Sequence, residues 1–416
     1  MHTSEKPKFF YGYVIVSAAF VVMTLAFGIN YTFGVFLEPL LEEFGWARAV
    51  TSGAYSLSTM VAGFLGIFAG RLSDRFGPRV VGTAIGCFLG LGFLLLSQVS
   101  AIWQFYLFYG LIVAAGVGSG WPSLAPAVTR WFAGRRGLMT GIVASGIGFG
   151  SLTVPPLASW LISVYDWDLA YIIIGLIALV LVMLAAQFLK RDPRQIGQLP
   201  YGEDKVKQEG SVSEARGFFL QEAMHTRQFW MVCIIYFCFG FGLHTVMVHI
   251  VIHATGLGIS ATTAAGILAT VGGMSTVGRI TGGGASDRFG VKPSLVSAFI
   301  LMSVAFLWLI SAGEIWMLYL FGVVFGFAYG NIVALQPLLL GELFGLSSLG
   351  SILGTVAFIY TIGGAIGPFL AGYIFDITGL YRLAFIVCAA VSIVNVVLMV
   401  VLRPISDEQW QKLEIP

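Results

Sequence analysis

The sequence predicts an all-α polytopic membrane protein whose twelve transmembrane helices form two six-helix halves, with both termini cytoplasmic. Three observations carry that prediction. The 416 residues are 58% hydrophobic and only 10% charged, with a mean hydropathy of +0.91, whereas a soluble chain carries about a quarter charged residues. Charged or turn-rich breaks cut the chain into twelve apolar segments. Finally, the motif Ser73-Asp74-Arg75-Phe76-Gly77 after segment two returns after segment eight as Ser286-Asp287-Arg288-Phe289-Gly290.

The segments span 11–37, 49–70, 79–98, 102–126, 136–162, 168–189, 227–254, 262–285, 292–312, 315–340, 350–375 and 381–402. Each is long enough to cross a bilayer core, which takes about 20 helical residues. The first is longer than a signal-peptide core and ends without a small-x-small cleavage site, so it reads as a retained helix. The glycine- and proline-rich segments are expected to kink. With both termini inside, 19 of the 22 lysines and arginines fall in inner loops or tails; Arg48 and Arg382 fall outside, and Arg279 lies within the membrane. That asymmetry fixes the orientation in the cell membrane. Between Lys190 and Arg227 the composition turns polar, with Pro193, Pro200 and the run Gly202-Glu203-Asp204-Lys205, as in a cytoplasmic linker. The expected organisation is an N-terminal half over 1–190, a linker over 191–226 and a C-terminal half over 227–416, with a solute bound between the halves near the midplane.

The same composition narrows the function classes. A net charge of +2 implies no polyanionic partner and no nucleic acid. Cys87, Cys233, Cys238 and Cys388 sit in apolar runs, where cysteine behaves as a small hydrophobe, so neither a disulfide nor a metal site is expected. No cofactor is expected either: the glycines between Gly141 and Gly150 lie inside a membrane segment with no preceding strand, unlike a dinucleotide loop. An enzyme is not expected, since Gly-x-Ser-x-Gly, His-Glu-x-x-His and paired intramembrane carboxylates are all missing.

The chemistry centres on Arg279, in the run Met274-Ser275-Thr276-Val277-Gly278-Arg279-Ile280-Thr281. It lies about 12 Å inside the polar break at Asp287-Arg288, near the middle of a hydrocarbon slab roughly 30 Å thick. A permanent charge at that depth faces a bundle interior or a wet cavity and meets an anion, and its planar fork matches a carboxylate. The alternative is an arginine satisfied by helix carbonyls or a buried carboxylate, but no Asp or Glu falls in the middle of any apolar segment. Candidates for the same site are Phe27, Asn30 and Tyr31 in segment one, His249 in segment seven, and Phe325, Tyr329 and Asn331 in segment ten. His249 and His253 share a face, while His244 points roughly 140° away from His249 at 100° per residue. For each aromatic or histidine, packing is the bland alternative.

Gly70-Arg71-Leu72-Ser73-Asp74-Arg75-Phe76-Gly77-Pro78-Arg79 resembles the signature of the major facilitator superfamily between its second and third helices, and Gly284 through Gly290 is its echo. That resemblance implies alternating access, with Asp74, Arg75, Asp287 and Arg288, and the basic pair Arg135-Arg136, as candidate latch residues between the halves. The bland reading makes them topology charges only. Trp131-Phe132-Ala133-Gly134-Arg135-Arg136-Gly137-Leu138 and the small residues following resemble a pattern of the monocarboxylate transporter family, here taken as a bacterial homologue. Departures are Gly134 for a basic residue and Met139, Val143 and Ser145 for alanines. The family's opening motif survives only as Tyr11-Gly12-Tyr13. Gly141, Ser145, Gly146, Gly148 and Gly150 also have a physical reason, since small residues allow close helix approach.

The resemblance implies a secondary active transporter of a small monocarboxylate such as lactate or pyruvate, most simply with a proton as cosubstrate, acting as a monomer. Two departures bear on coupling: Tyr31 stands where the family carries a lysine, and Ser275 where it carries an aspartate. The remaining protonatable candidates are His249, the side chain best placed to take the proton, His253 and the substrate's own carboxyl, with which the acid would cross without a protein proton site. A non-transporting receptor of the same fold is disfavoured because no appended soluble domain is present. An oxalate:formate-type exchanger is the alternative transporter, but the lysine that such exchangers add in helix eleven has no counterpart between Ser351 and Phe375.

Overall fold

The computed structural model describes residues 10–203 and 217–404. Lys6, Lys8, Lys205, Lys207, Arg216 and Lys412, part of the charge asymmetry, and the middle of the linker lie outside the described residues. Twelve long helices run in order: α1 Gly12–Phe44, α2 Arg48–Phe76, α3 Pro78–Leu96, α4 Ile102–Trp131, α5 Arg136–Val164, α6 Trp167–Phe188, α7 Arg227–Gly256, α8 Ala261–Phe289, α9 Val291–Leu309, α10 Ile315–Phe344, α11 Leu349–Thr378 and α12 Arg382–Val401. The expected kinks have identifiable causes. α1 steps at Thr32, whose amide and hydroxyl both turn back onto the Ile29 carbonyl at 3.1 and 2.7 Å. α4 contains a π-helical turn over Phe108–Val113 and two prolines, Pro122 and Pro126.

Eleven of these helices are apolar and long enough to cross a membrane; α8 is the twelfth. It is as long as its neighbours at 29 residues, but its glycines, serines and threonines and Arg279 keep it short of that hydropathy. The small residues are used for contact instead. A Cβ on Gly278 would strike the Phe327 carbonyl of α10, one on Gly282 would strike Asn331, and one on Gly283 would strike the Gly137 backbone of α5. α5 shows both faces of the same device. Gly141 and Gly148 admit Arg279 and Thr276 of α8, whereas Gly146 and Gly150 admit Phe20 and Thr24 of α1. Such packing replaces hydrophobic drive with close van der Waals contact.

The two halves join on the face that carries the linker, through two related contacts. Asp74, in the last turn of α2, accepts from the backbone amides of Gly350 and Ser351 at 3.2 and 2.9 Å and from the Ser351 hydroxyl at 3.1 Å, at the N-terminus of α11. Asp287, in the last turn of α8, accepts from the amides of Gly137 and Leu138 at 2.7 and 2.9 Å, at the N-terminus of α5. A carboxylate at a helix start meets orphan N–H groups and the positive end of the helix dipole. Each repeat of the motif therefore caps a helix of the opposite half.

The arginines of the motif are not part of this joint. Arg75 and Arg288 are exposed, each folded over the phenylalanine that follows it, at 5.2 and 5.4 Å from the rings of Phe76 and Phe289. One residue past the aspartate is a 100° turn, which points them away from the opposite half. The partner of Asp74 is Arg130 of α4, unforeseen in sequence, which donates to Asp74 at 3.0 Å and to the Leu346 carbonyl at 2.6 Å. Arg136 donates to the Phe132 carbonyl at 2.6 Å and lies within electrostatic reach of Glu342 and Asp287. Arg135 takes a left-handed conformation (φ 66°) just before α5 and lies over the Tyr201 ring at 5.9 Å.

The first part of the linker docks on the N-terminal half. Tyr201 pairs its backbone with Trp131, Ala133 and Gly134 at 2.8–3.0 Å. Phe10, Tyr13 and Phe132 gather round its ring. Tyr11 donates to the Phe188 carbonyl at 3.0 Å, and its ring receives the Lys190 ammonium at 4.7 Å. The aromatic-Gly-aromatic motif thus ties the start of α1 to the end of α6.

Asp74→Ala should open the linker face more than Asp287→Ala. Arg130 is 8% exposed and would be left an unpaired buried charge, costing about 3 kcal/mol, against roughly 1 kcal/mol for the exposed Asp287 cap. Labelling of Ala69→Cys by a membrane-impermeant maleimide, in a background without the four native cysteines, reads the difference. Equal labelling in both variants would refute the ranking.

Candidate functional site

α8 carries Arg279 to the seam between the halves, on the side facing α5 and α10. The side chain is 1% exposed. Its Nη2 donates to the Tyr329 hydroxyl at 2.9 Å, and its Cζ stands 5.1 Å from the Tyr329 ring centre. Nε and Nη1 are buried with no hydrogen-bond partner, and no described carboxylate pairs with the guanidinium. A buried donor left unmade costs about 1–3 kcal/mol, more on a charged group. The free donors flank Nη2, whose second proton completes a two-pronged edge with one of them, to which a carboxylate can bind. Gly148 of α5 keeps one edge open, since a Cβ there would lie 3.2 Å from Nη1.

Four tyrosines line the space beside it. Tyr31 of α1 is 42% exposed although groups from α2, α8 and α10 surround it, so it faces an opening between these helices. Tyr329, Tyr55 and Arg279 are its electrostatic neighbours, and Tyr360 of α11 has Tyr329, Tyr31, Arg279 and Tyr55 as its own. The Asn30 side chain lies beside Tyr55, and its carbonyl accepts from the Tyr109 hydroxyl at 3.2 Å. Phe27 is half-buried one turn before Tyr31. Toward the linker face a buried bond from Trp121 Nε1 of α4 to Gln336 Oε1 of α10, 3.2 Å, crosses between the halves. Away from that face, Gly34 of α1 and Gly272 and Gly273 of α8 have no neighbouring atom where a Cβ would stand. The cavity is therefore closed toward the linker and open on the far side.

The structure thus gathers Arg279, Tyr329, Tyr31 and Asn30, with Phe27 beside them. It adds Tyr55 and Tyr360, to which the sequence reading assigns no role. Three candidates lie elsewhere. Phe325 is fully buried against Phe306 and Phe321, at ring distances of 5.4 and 5.0 Å. Four residues on a helix are 40° apart and one turn displaced, enough to turn Phe325 toward α9 while Tyr329 faces the cavity. Asn331 is wedged against Gly282, its amide 3.4 Å from the Phe327 carbonyl, so it is a packing group between α8 and α10. His249 has both ring nitrogens engaged: Nε2 donates to the Pro368 carbonyl at 2.9 Å, and Nδ1 accepts from the Tyr381 hydroxyl at 3.0 Å. It lies about 10 Å from the far end of α7, whereas Arg279 lies about 27 Å from the far end of α8, at 1.5 Å per residue.

Comparison with known proteins agrees with this architecture. The sequence profile described as Major Facilitator Superfamily matches residues 19–284 and 232–413. Monocarboxylate transporter 13 of Bos taurus is 29% identical over 404 residues, covering 94% of this chain and 88% of the relative. Monocarboxylate transporter 12 of Homo sapiens is 24% identical, covering 95% and 81%, and the oxalate:formate antiporter of Oxalobacter formigenes is 28% identical, covering 69% and 65%. Among solved structures, a fucose:proton symporter of E. coli superposes with a TM-score of 0.69 at 17% identity, covering 94% of this chain and all of the other. A proton:xylose symporter superposes at 0.72 and 15% identity, covering 97% and 99%. The chain belongs to the Major Facilitator Superfamily, is a multi-pass membrane transporter rather than an enzyme, and is a relative of the superfamily's monocarboxylate transporters.

Proposed function

We propose that the protein carries a small monocarboxylate, of the size of lactate or pyruvate, together with a proton, by alternating access between its two halves. The observation that carries this reading is the pair of unpartnered donors on the buried Arg279, at the closed end of a cavity open on one side. One fixed cation suits one carboxylate. The lysine and arginine asymmetry makes the linker face cytoplasmic, so this conformation faces outward and the caps at Asp74 and Asp287 hold the inner side shut. The names of the monocarboxylate transporter relatives support the substrate class.

The oxalate:formate antiporter among the relatives favours a second reading, exchange of a dicarboxylate for a monocarboxylate. A dicarboxylate asks for a second cation, and α11 contains no lysine or arginine. Counterflow of labelled lactate in proteoliposomes, with and without a pH gradient and with unlabelled oxalate as competitor, tests both. Lactate counterflow that oxalate does not inhibit is expected; oxalate counterflow of equal rate would establish the second reading.

Arg279→Lys should reduce lactate uptake tenfold or more at normal surface expression, because a point charge cannot reproduce two-pronged donation worth roughly 1.5–3 kcal/mol. Uptake at the unmodified rate would remove Arg279 from the site. Tyr329→Phe should raise the half-saturation concentration about fivefold, the equivalent of one hydrogen bond of about 1 kcal/mol. No change would return Tyr329 to a packing role.

A further inference from the structure

A proton that travels with the anion needs a resting place, and the neighbourhood of Arg279 has no carboxylate to offer. Glu38 stands two turns beyond Tyr31 on α1, about 10 Å further out. Of the three histidines on α7, His249 already has both nitrogens engaged at the outer end. His253 also has an Nε2 without a hydrogen-bond partner, but it stands one turn past His249, away from the tyrosines around Arg279, with its ring edge-on to Tyr381 and Phe385.

Three observations in combination single out His244. Its Nδ1 is 3.1 Å from the Gly240 carbonyl; a carbonyl only accepts, so Nδ1 carries the hydrogen and Nε2 keeps a bare lone pair. No described protein group hydrogen-bonds that Nε2. Second, the ring sits edge-on to Tyr360, with centres 5.3 Å apart, and Tyr360 belongs to the tyrosine set around Arg279. Third, Gly364 of α11 makes room for it, since a Cβ there would lie 2.6 Å from Nδ1. The groups facing it are Tyr360 and Gly364 from α11, with Tyr329 of α10, Arg279 of α8, Tyr31 of α1 and Tyr55 of α2 behind Tyr360. Among the described residues no carboxylate or ammonium acts on His244.

We infer that His244, rather than His249, takes up the cotransported proton, an assignment that rests on the transport reading above. A proton from the outer solution adds to Nε2 and forms an N–H bond, giving an imidazolium. The carboxylate arriving at Arg279 favours that charged form. Arg279 with the carboxylate and protonated His244 bears the same net charge as empty Arg279 with neutral His244. Loaded and empty carriers then cross with equal charge, and the proton leaves on the inner side with the substrate.

The test uses purified full-length protein in proteoliposomes carrying an entrapped pH dye. His244→Gln should lose acid-driven lactate accumulation and the matching proton uptake, while lactate counterflow at equal pH persists. His244→Asn, which can still donate toward Gly240, should behave the same and guards against a folding defect in the first variant. His249→Gln and Glu38→Gln should keep both activities. Accumulation at the unmodified level in both His244 variants overturns the assignment, as does loss of counterflow together with accumulation, or collapse of accumulation in His249→Gln or Glu38→Gln instead. Failure of the transport reading would show separately, as absence of lactate counterflow in the unmodified protein, and would remove the role of His244 with it.

Discussion

Everything near the midplane of this molecule is arranged around one charge that cannot be discharged. A guanidinium stays protonated under any physiological condition, and a site within the membrane tolerates it only with water or an anion at hand. Tyr329 satisfies one nitrogen and leaves two. The surrounding side chains neither neutralise the charge nor stack over it from both sides. Tyr31, Tyr55 and Tyr360 supply hydroxyls and ring faces but no fixed counter-charge. The arrangement leaves two buried donors of a fixed cation without a partner, the feature on which the proposed carboxylate site rests.

The frame that holds this site is built from backbone rather than from large side chains. Where the halves meet, Gly70 faces the Gly350 carbonyl and Gly137 faces Gly283. At the same places Asp74 and Asp287 cap α11 and α5. Close backbone contact and a cap work as a pair. The glycines bring the helix start within reach of the carboxylate, and the carboxylate adds a directional, charge-assisted bond to contacts that are individually weak. Because both interactions depend on alignment, a rocking motion of a few ångströms loses them together, as a joint that alternates between two positions requires.

Much of this was legible in the chain. Segment lengths, the repeated Ser-Asp-Arg-Phe-Gly and the lone Arg279 gave twelve helices, two halves and a buried charge at the seam between them, because hydrophobic length and the cost of a buried charge act locally along the sequence. The small residues of α5 were also read correctly, as points of close approach. What failed was facing. Phe325 and Tyr329 share a helix stripe in sequence, but 40° decides which of them sees the cavity and which sees α9. His249 looked available until Tyr381 and the Pro368 carbonyl, both distant in sequence, were found on its nitrogens. Arg130 escaped notice because it sits between the prolines of α4 and the basic cluster, with nothing local to tie it to Asp74.

The composition of α8 also bears on how the protein is made. A helix so rich in glycine and threonine, with an arginine inside it, gains little by entering lipid alone, since insertion scales charge about 2.5–3.5 kcal/mol for a central arginine. Its favourable contacts are with α10, which is synthesised after it, and with α5, which belongs to the other half. Stable residence of α8 in the bilayer therefore waits for both.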